Sequence, residues 1–419
     1  MGISTFARVP MSSAHLVLLL AAQSAGSSIG LSKIIHADRP AAALSSPLGS
    51  LLSLRGGATK CDVWLIGCGV PKRGMGWYHA KQILEGDIDT AQLTAVVEPW
   101  FLGNGAESPP GQTFGVWAKE MAETYGTTFC KSIDELEVTG PTLALISGRT
   151  ADNPRLLKEV IDKGVSAVYL EKPGAPTVAE LEEMREYAKS KGVPVYMGYN
   201  KNVTPYVRKA LEEAKKCPGS QTTYVHNNAY TIDQLPECFE RNAEGMLKNM
   251  AIHELALLAT YWGVTVENIE SVTPDADFSS MLTLTGPSGK EFTDFSKIGF
   301  TVKTKTGNTI TLQIDRCGSD SGGNSIAIVS KDGKEVFRAE TPDEELQKYC
   351  AEASKADPEM MPYFFLQSDD YKTLKDLATS HVLSGDQGAP EGMATIEIAV
   401  EALRVAEYLT PVLQAALKA

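Results

Sequence analysis

From Cys61 onward, short continuous apolar runs alternate with stretches in which apolar residues recur every three or four positions. DVWLIG, LTAVVEP, TLALIS, AVYLEKP and VPVYMGYN are of the first kind. GWYHAKQILEG, GVWAKEMAETYG, NPRLLKEVIDKG and TVAELEEMREYAKSKG are of the second. Continuous runs read as strands buried on both faces, and the periodic stretches as amphipathic helices. Thr177 and Glu180 give the last of these helices a capping box, and Gly192 closes it. Strand and helix in steady alternation predict a doubly wound parallel sheet over residues 61–200.

Past Tyr199 the texture changes. VTPYVRKALEEAKKC and GMLKNMAIHELALLATYWG each read as one helix, and from about Val272 to Glu340 polar and apolar residues alternate singly. Gly307-Asn308 and Asp332-Gly333 sit between such runs as hairpin turn signals. A last helix is expected from roughly Met393 to Ala416. Residues 201–419 are therefore expected to form an α+β domain on an open, mainly antiparallel sheet, with one face wet or covered by a partner.

The first 60 residues fit neither pattern. An apolar run around Leu16 to Ala22 is followed by a Ser/Ala-rich basic stretch, and Asp38 is the only acidic residue before Cys61. That composition predicts a removable presequence, with an organellar destination: a plastid first, a mitochondrion or the secretory route as alternatives. No later stretch is long and apolar enough to span a membrane, so no membrane is expected for the mature form. A net charge of −13 over 419 residues disfavours nucleic acid as a partner. The seven Cys form no C-x-x-C pair and no zinc-type cluster, so no metal site is expected.

Candidate chemistry begins at WLIGCGVPKRGMGWYH, residues 64–79. Gly67 and Gly69 stand where backbone must approach a pyrophosphate, and Gly76 opens a helix whose free N–H groups favour an anion. Six residues, not two, separate Gly69 from Gly76, so a four-residue insertion around Val70 to Arg73 is expected to bulge out. Glu98 ends the second strand, where a carboxylate accepts hydrogen bonds from ribose hydroxyls and repels a 2′-phosphate. That favours NAD. Lys72 and Arg73 in the insertion offset the repulsion, so NADP is possible. Ser147, at the end of TLALIS, is assigned to the same cofactor.

Glu171-Lys172-Pro173 follows the fifth strand, Gly198-Tyr199-Asn200-Lys201 the next, and Asn249-Met250-Ala251-Ile252-His253 lies in the later helix. With the glycine turn, this series resembles the Gfo/Idh/MocA family of glucose–fructose oxidoreductase, inositol dehydrogenase and their relatives, over essentially residues 61–419. The resemblance implies an N-terminal Rossmann domain and a C-terminal open-sheet domain, with substrate held between sheet and nicotinamide. It implies that Lys172 lies near the nicotinamide and the reacting hydroxyl, that Glu171 belongs to the cofactor site, and that His253 is the His of the family's Asp-x-Gly-x-His. It also implies a homo-oligomer, dimer or tetramer. Here the family's Asp is Asn249 and its Gly is Ala251.

Oxidising an alcohol carbon sends a hydride to the nicotinamide and the hydroxyl proton to a base. His253 suits the base near neutrality, and the Lys172 ammonium suits the developing oxyanion. Asn249 cannot act as a base and is assigned to orienting the substrate. Four-, seven- and eleven-residue spacings place Asn249, His253, Ala256 and Thr260 on one helical stripe, expected to line a cleft. Asn200, Lys201 and Tyr230 are assigned to substrate; the sequence does not set the register that decides which face His226 and Tyr230 take. Lys201 and Lys248 hint at an anionic substrate. Two readings follow: a nicotinamide-dependent oxidoreductase acting on a small polyol, sugar or hydroxy/keto acid, or a non-catalytic nucleotide-dependent sensor on the same fold.

Overall fold

A computed structural model describes residues 59–320, 322–386 and 388–418. The expected presequence, except for its last two residues, lies outside the described residues.

The first sheet is parallel throughout, in the order β3-β2-β1-β4-β5-β6. Its strands are β1 (Cys61–Ile66), β2 (Ala91–Val97), β3 (Thr128–Cys130), β4 (Thr142–Ile146), β5 (Ala167–Leu170) and β6 (Val195–Met197). Between them run α1 (Met75–Leu84), α2 (Pro109–Tyr125), α3 (Asn153–Asp162) and α4 (Val178–Lys191). The continuous apolar runs follow from burial on both faces. In β1, Trp64 and Ile66 enter one core cluster, while Cys61, Val63 and Leu65 enter the other. In β4, Ala144 and Ile146 divide from Leu143 and Leu145 in the same way.

The second sheet runs β13-β12-β7-β11-β10-β8, with β9 paired to β10. Its strands are β7 (Gln221–Asn227), β8 (Ile269–Pro274), β9 (Ser280–Thr285), β10 (Glu291–Thr304), β11 (Thr309–Asp315), β12 (Asn324–Lys331) and β13 (Lys334–Thr341). All its pairings are antiparallel except β7 with β11. That exception follows from the long crossover through α6 (Leu235–Arg241), α7 (Met246–Asn249) and α8 (Ile252–Trp262). Helix α5 (Pro205–Lys216) links the two sheets in sequence.

The chain then returns to the first sheet. After α9 (Glu344–Ala356) and α10 (Pro362–Leu366), helix α11 (Ser368–Ser384) buries Tyr371, Leu374 and Ala378 in the same cluster as Leu65 and Leu145. Helix α12 (Ile396–Ala416) packs with α8 and α4 in the other cluster. Residues far beyond 200 thus complete both coverings of the first sheet.

One element departs from expectation. GMLKNMAIHELALLATYWG is two helices, not one, broken at Met250 and Ala251. Ala251 N bonds to Met246 O, five residues back, so the ladder slips by one residue there. Asn249 and His253 therefore do not share a regular helical stripe.

Candidate active site

The glycine turn follows β1. Gly67 and Gly69 have φ of 84° and 74°, a region that favours glycine. A Cβ on Gly67 would stand 2.7 Å from Gly148 Cα, and one on Gly76 would stand 2.1 Å from Gly67 O. The extra residues form a closed turn, with Gly74 N bonded to Val70 O at 2.8 Å, and α1 begins only at Met75. The helix still starts against the glycine turn because the insertion loops outward before it.

Glu98 Oε2 accepts from Cys68 N at 3.0 Å and from Gly69 N at 3.1 Å. Beside it opens a cavity of about 920 Å³ walled by Gly67, Gly69, Glu98, Ser147, Lys131 and Arg149, among others. Lys72 and Arg73 are not on its wall. Lys72 Nζ is taken up by Asp357 Oδ1 at 3.0 Å and Glu359 Oε2 at 2.9 Å, so it points to the C-terminal segment and not to the cofactor side. The cations that do line the cavity are Lys131, Arg149 and Arg155. Arg149 could have been found from its place just past a parallel strand's carboxyl end, where such sheets bind ligands.

Glu171 and Lys172 follow β5. The Glu171 carboxylate binds His79 Nε2 at 3.0 Å, an inward structural contact. Lys172 Nζ reaches the main-chain carbonyl of Asn249 at 3.5 Å. Burial lowers the Lys172 ammonium's pKa, against the opposing pull of Glu171, Glu244 and Glu254. His253 packs edge-on against Tyr199, ring centroids 5.9 Å apart. Burial, then the charges of Lys172 and Lys201, hold its pKa well below the ordinary histidine value, so the imidazole is neutral. Its Nδ1 has no hydrogen-bond partner.

Asn249 is not placed to orient a substrate beside His253. Its amide turns away and donates to Glu244 Oε1 at 2.7 Å. The rest of the expected stripe is packing: Ala256 is fully buried, and Thr260 donates to Ala256 O and accepts from Asn202 Nδ2. The slip at Met250 and Ala251 is the physical reason.

Asn200, Lys201 and Tyr230 do come together, on the wall of a second cavity of about 450 Å³ that also includes His226, Asn324 and Asp370. Lys201 is ion-paired with Glu254 and donates to Ser325 Oγ at 2.9 Å. Glu254 also meets His226 Nδ1 at 3.1 Å. Burial works to raise the Glu254 pKa, but His226 and Lys201 overcome it and hold the carboxyl well below its usual range. Lys248 pairs with Glu407 at 2.8 Å. Neither lysine is thus left with uncompensated charge for an anionic substrate. Asp370, pushed up to about 8 by burial, has Asn200 Nδ2 at 3.4 Å. Sequence reasoning missed Glu254 and Asp370; Asp370 lies 170 residues from Asn200 and carries no local motif.

Among the described residues, no group of three or more His, Cys, Asp or Glu side chains could hold a metal ion, and no helix is long and apolar enough to cross a membrane.

The model of the Gfo/Idh/MocA oxidoreductase family, with its NAD-binding Rossmann fold, matches residues 109–199. No curated protein matches the sequence. Among solved structures, a probable dehydrogenase from Thermotoga maritima superposes with TM-score 0.61 at 18% identity, covering 85% of this chain and 96% of its own. A myo-inositol dehydrogenase from Corynebacterium glutamicum gives 0.62 at 16%, covering 85% and 97%. GenD2 from gentamicin A biosynthesis, in complex with NAD, gives 0.58 at 16%, covering 85% and 95%. The family resemblance drawn from the motifs is borne out by the first match, and the two-sheet fold by the structures.

Proposed function

We propose that this protein, similar to oxidoreductases with an NAD-binding Rossmann fold, moves a hydride between NAD and the hydroxyl-bearing carbon of a small polyhydroxylated compound, or the corresponding carbonyl. The observation that carries the reading is a buried His253 whose Nδ1 has no partner, packed on Tyr199 just after β6, with Lys172 just after β5 held by Asn249 O, in a sheet whose glycine turn is shaped as a dinucleotide cradle. Neither side chain is on the wall of either cavity described above.

The residues present fit NAD. A side chain at Gly67 would collide with the backbone of Gly148, and one at Gly76 with the glycine turn, so these positions keep the backbone bare for a close approach. Gly67, Gly69, Glu98 and Ser147 would hold the adenosine and pyrophosphate end, with Arg149 beside them. NAD, when bound, supplies the hydride acceptor. The chain's own part is proton handling and charge. His253, kept neutral by its surroundings, takes the hydroxyl proton, and Lys172 stabilises oxygen charge as the carbonyl forms. Asn249 contributes through its main-chain carbonyl, which holds the Lys172 ammonium.

The substrate cavity supports an uncharged polyhydroxylated compound. Its wall carries the amides of Asn200, Asn227, Asn228, Gln234 and Asn324, each both donor and acceptor, and Lys201 is neutralised by Glu254. The test is NADH formation with a panel of inositols, sugars and hydroxy acids. Turnover with a polyol supports the reading. Cofactor binding without turnover on any of them would leave the sensor reading in its place.

A further inference from the structure

The Glu254 carboxylate, fully buried on α8, sits at the centre of a ring of side chains behind the second cavity. Its Oε2 lies 3.1 Å from His226 Nδ1, and its Oε1 pairs with Lys201 Nζ. The same Nζ donates to Ser325 Oγ at 2.9 Å. Ser325 on β12 stands directly opposite His226 on β7 in the antiparallel register, so the ring closes on the strand pair it started from. Among the described residues nothing bonds to the other ring nitrogen, Nε2, yet that atom is not sealed in as Nδ1 of His253 is. His226 is on the cavity wall, so Nε2 opens to the cavity.

The ring fixes what Nε2 can do. Glu254 is held ionised by its ion pair with Lys201, and an ionised carboxylate only accepts, so the His226 proton sits on Nδ1. Burial lowers the His226 pKa against the opposing pull of Glu254, which keeps the imidazole neutral near neutral pH. A neutral imidazole with its proton on Nδ1 offers only a lone pair at Nε2. The amides of Asn200, Gln234 and Asn324 on the same wall carry both a donor and an acceptor, and can answer either kind of ligand group. His226 cannot, because reversing its tautomer would set two lone pairs face to face at 3.1 Å.

We propose that His226 is a specificity-determining residue of the substrate cavity: it accepts a hydrogen bond at Nε2 from one substrate hydroxyl and rejects a group that cannot donate there, with Glu254 setting this polarity. The substrate class narrows accordingly. The compound must present a free hydroxyl to His226, because an ether or carboxylate oxygen at that point leaves two acceptors facing each other without a proton. Sites built to bond a hydroxyl discriminate against its absence far more strongly than apolar pockets discriminate against a methylene. His226 thereby has a part separate from the proton transfer assigned to His253. The proposal rests on the reading of this cavity as the substrate site of a dehydrogenase.

The experiment uses the full chain and has two independent readings. The first needs no substrate: ¹⁵N NMR of the imidazoles near neutral pH, with His226→Gln assigning the signal, reads which nitrogen carries the proton. Nδ1–H is expected, and an Nε2–H imidazole at His226 overturns the proposal. The second compares the polyol of the panel that gives the fastest NADH formation with its singly deoxyfluorinated analogues. Fluorine is close to a hydroxyl in size and cannot donate. At one carbon other than the one oxidised, fluorine should lower kcat/KM by about 100-fold or more in the unaltered protein. In His226→Gln, whose amide can turn its nitrogen to the fluorine, the same replacement should cost at most about tenfold. If His226 only packs, His226→Gln lowers every analogue by one common factor. A fluorine penalty left unchanged by His226→Gln, or no such penalty at any carbon, overturns the proposal. Should His226→Gln fail to fold, His226→Asn replaces it in both readings. Turnover of no polyol, with Nδ1–H found, removes the dehydrogenase reading and this proposal with it; turnover with Nε2–H found removes this proposal alone.

Discussion

Glu98 Oε2 accepts a hydrogen bond from Gly69 N at 3.1 Å, so the carboxylate is built into the glycine turn and does not swing free at the strand end. A 2′-phosphate on the cofactor would meet a negative charge that cannot leave without stranding two main-chain N–H groups. NAD should therefore bind at least about tenfold more tightly than NADP in calorimetric titration. Glu98→Gln should narrow the ratio. The double variant Lys72→Ala with Arg73→Ala should leave it unchanged, because Lys72 is engaged by Asp357 and Glu359. A selective loss of NADP binding in that variant would show that the inserted turn moves onto the cofactor.

Lys172→Ala and His253→Ala should each lower turnover by roughly 100-fold or more, the usual scale for losing a proton-transfer or charge-stabilising group. Asn249→Ala should cost only a few-fold, since its amide binds Glu244 and its carbonyl, which holds Lys172, survives the substitution. Steady-state NADH formation with the best substrate of the panel separates the three. A loss in Asn249→Ala as deep as in His253→Ala would contradict this geometry.

Gly76→Ala should impair cofactor binding before anything else. The added Cβ would stand 2.1 Å from Gly67 O, a backbone atom that cannot rotate aside. The first turn of α1 must move away from the glycine turn, and overpacking of this kind costs about 1–3 kcal/mol or more. NAD should raise the melting temperature of the unaltered protein and do so less, or not at all, in the variant.

Stability should depend on pH through two buried groups with opposite signs. His79 is held at about 4 against an ordinary 6.5. Between those values the unfolded chain binds a proton that the folded one refuses, so this contribution rises with pH and is lost on acidification. Asp370 is raised from 3.8 to about 8. Across that window the folded chain holds the extra proton, so its contribution is lost as pH rises. Relative to the unaltered protein, melting curves of His79→Gln should lack a rise in stability between about pH 4 and 6.5, and those of Asp370→Asn should lack a fall between about pH 3.8 and 8. A His79→Gln profile parallel to that of the unaltered protein below 6.5 would contradict the assignment of His79.

Much of this protein could be read from local patterns because the physics behind them is local. Burial on both faces makes β1 and β4 continuously apolar, whereas β11 in the second sheet alternates buried with half-buried positions. Gly67, Gly69 and Gly76 were legible because a turn with positive φ and two close backbone approaches tolerates no side chain. Lys172 and His253 were singled out through motif order, and Asn200, Lys201 and Tyr230 do share one cavity wall.

Tertiary structure alone decided the rest. A one-residue slip at Met250 and Ala251 turned Asn249 away from His253, and a periodic stripe cannot reveal such a slip. Lys72 looked like a cofactor ligand beside the glycine turn until Asp357 and Glu359, nearly 290 residues on, claimed its charge. Lys201 is neutralised by Glu254, 53 residues away, and Asp370 reaches the second cavity's wall from α11. The sequence by itself determined the two sheets and the glycine turn, because hydrophobic period and backbone sterics act between near neighbours. Which charges are free and which are already paired was decided only by folding, because a charge in a low-dielectric interior is governed by whatever the distant chain brings beside it.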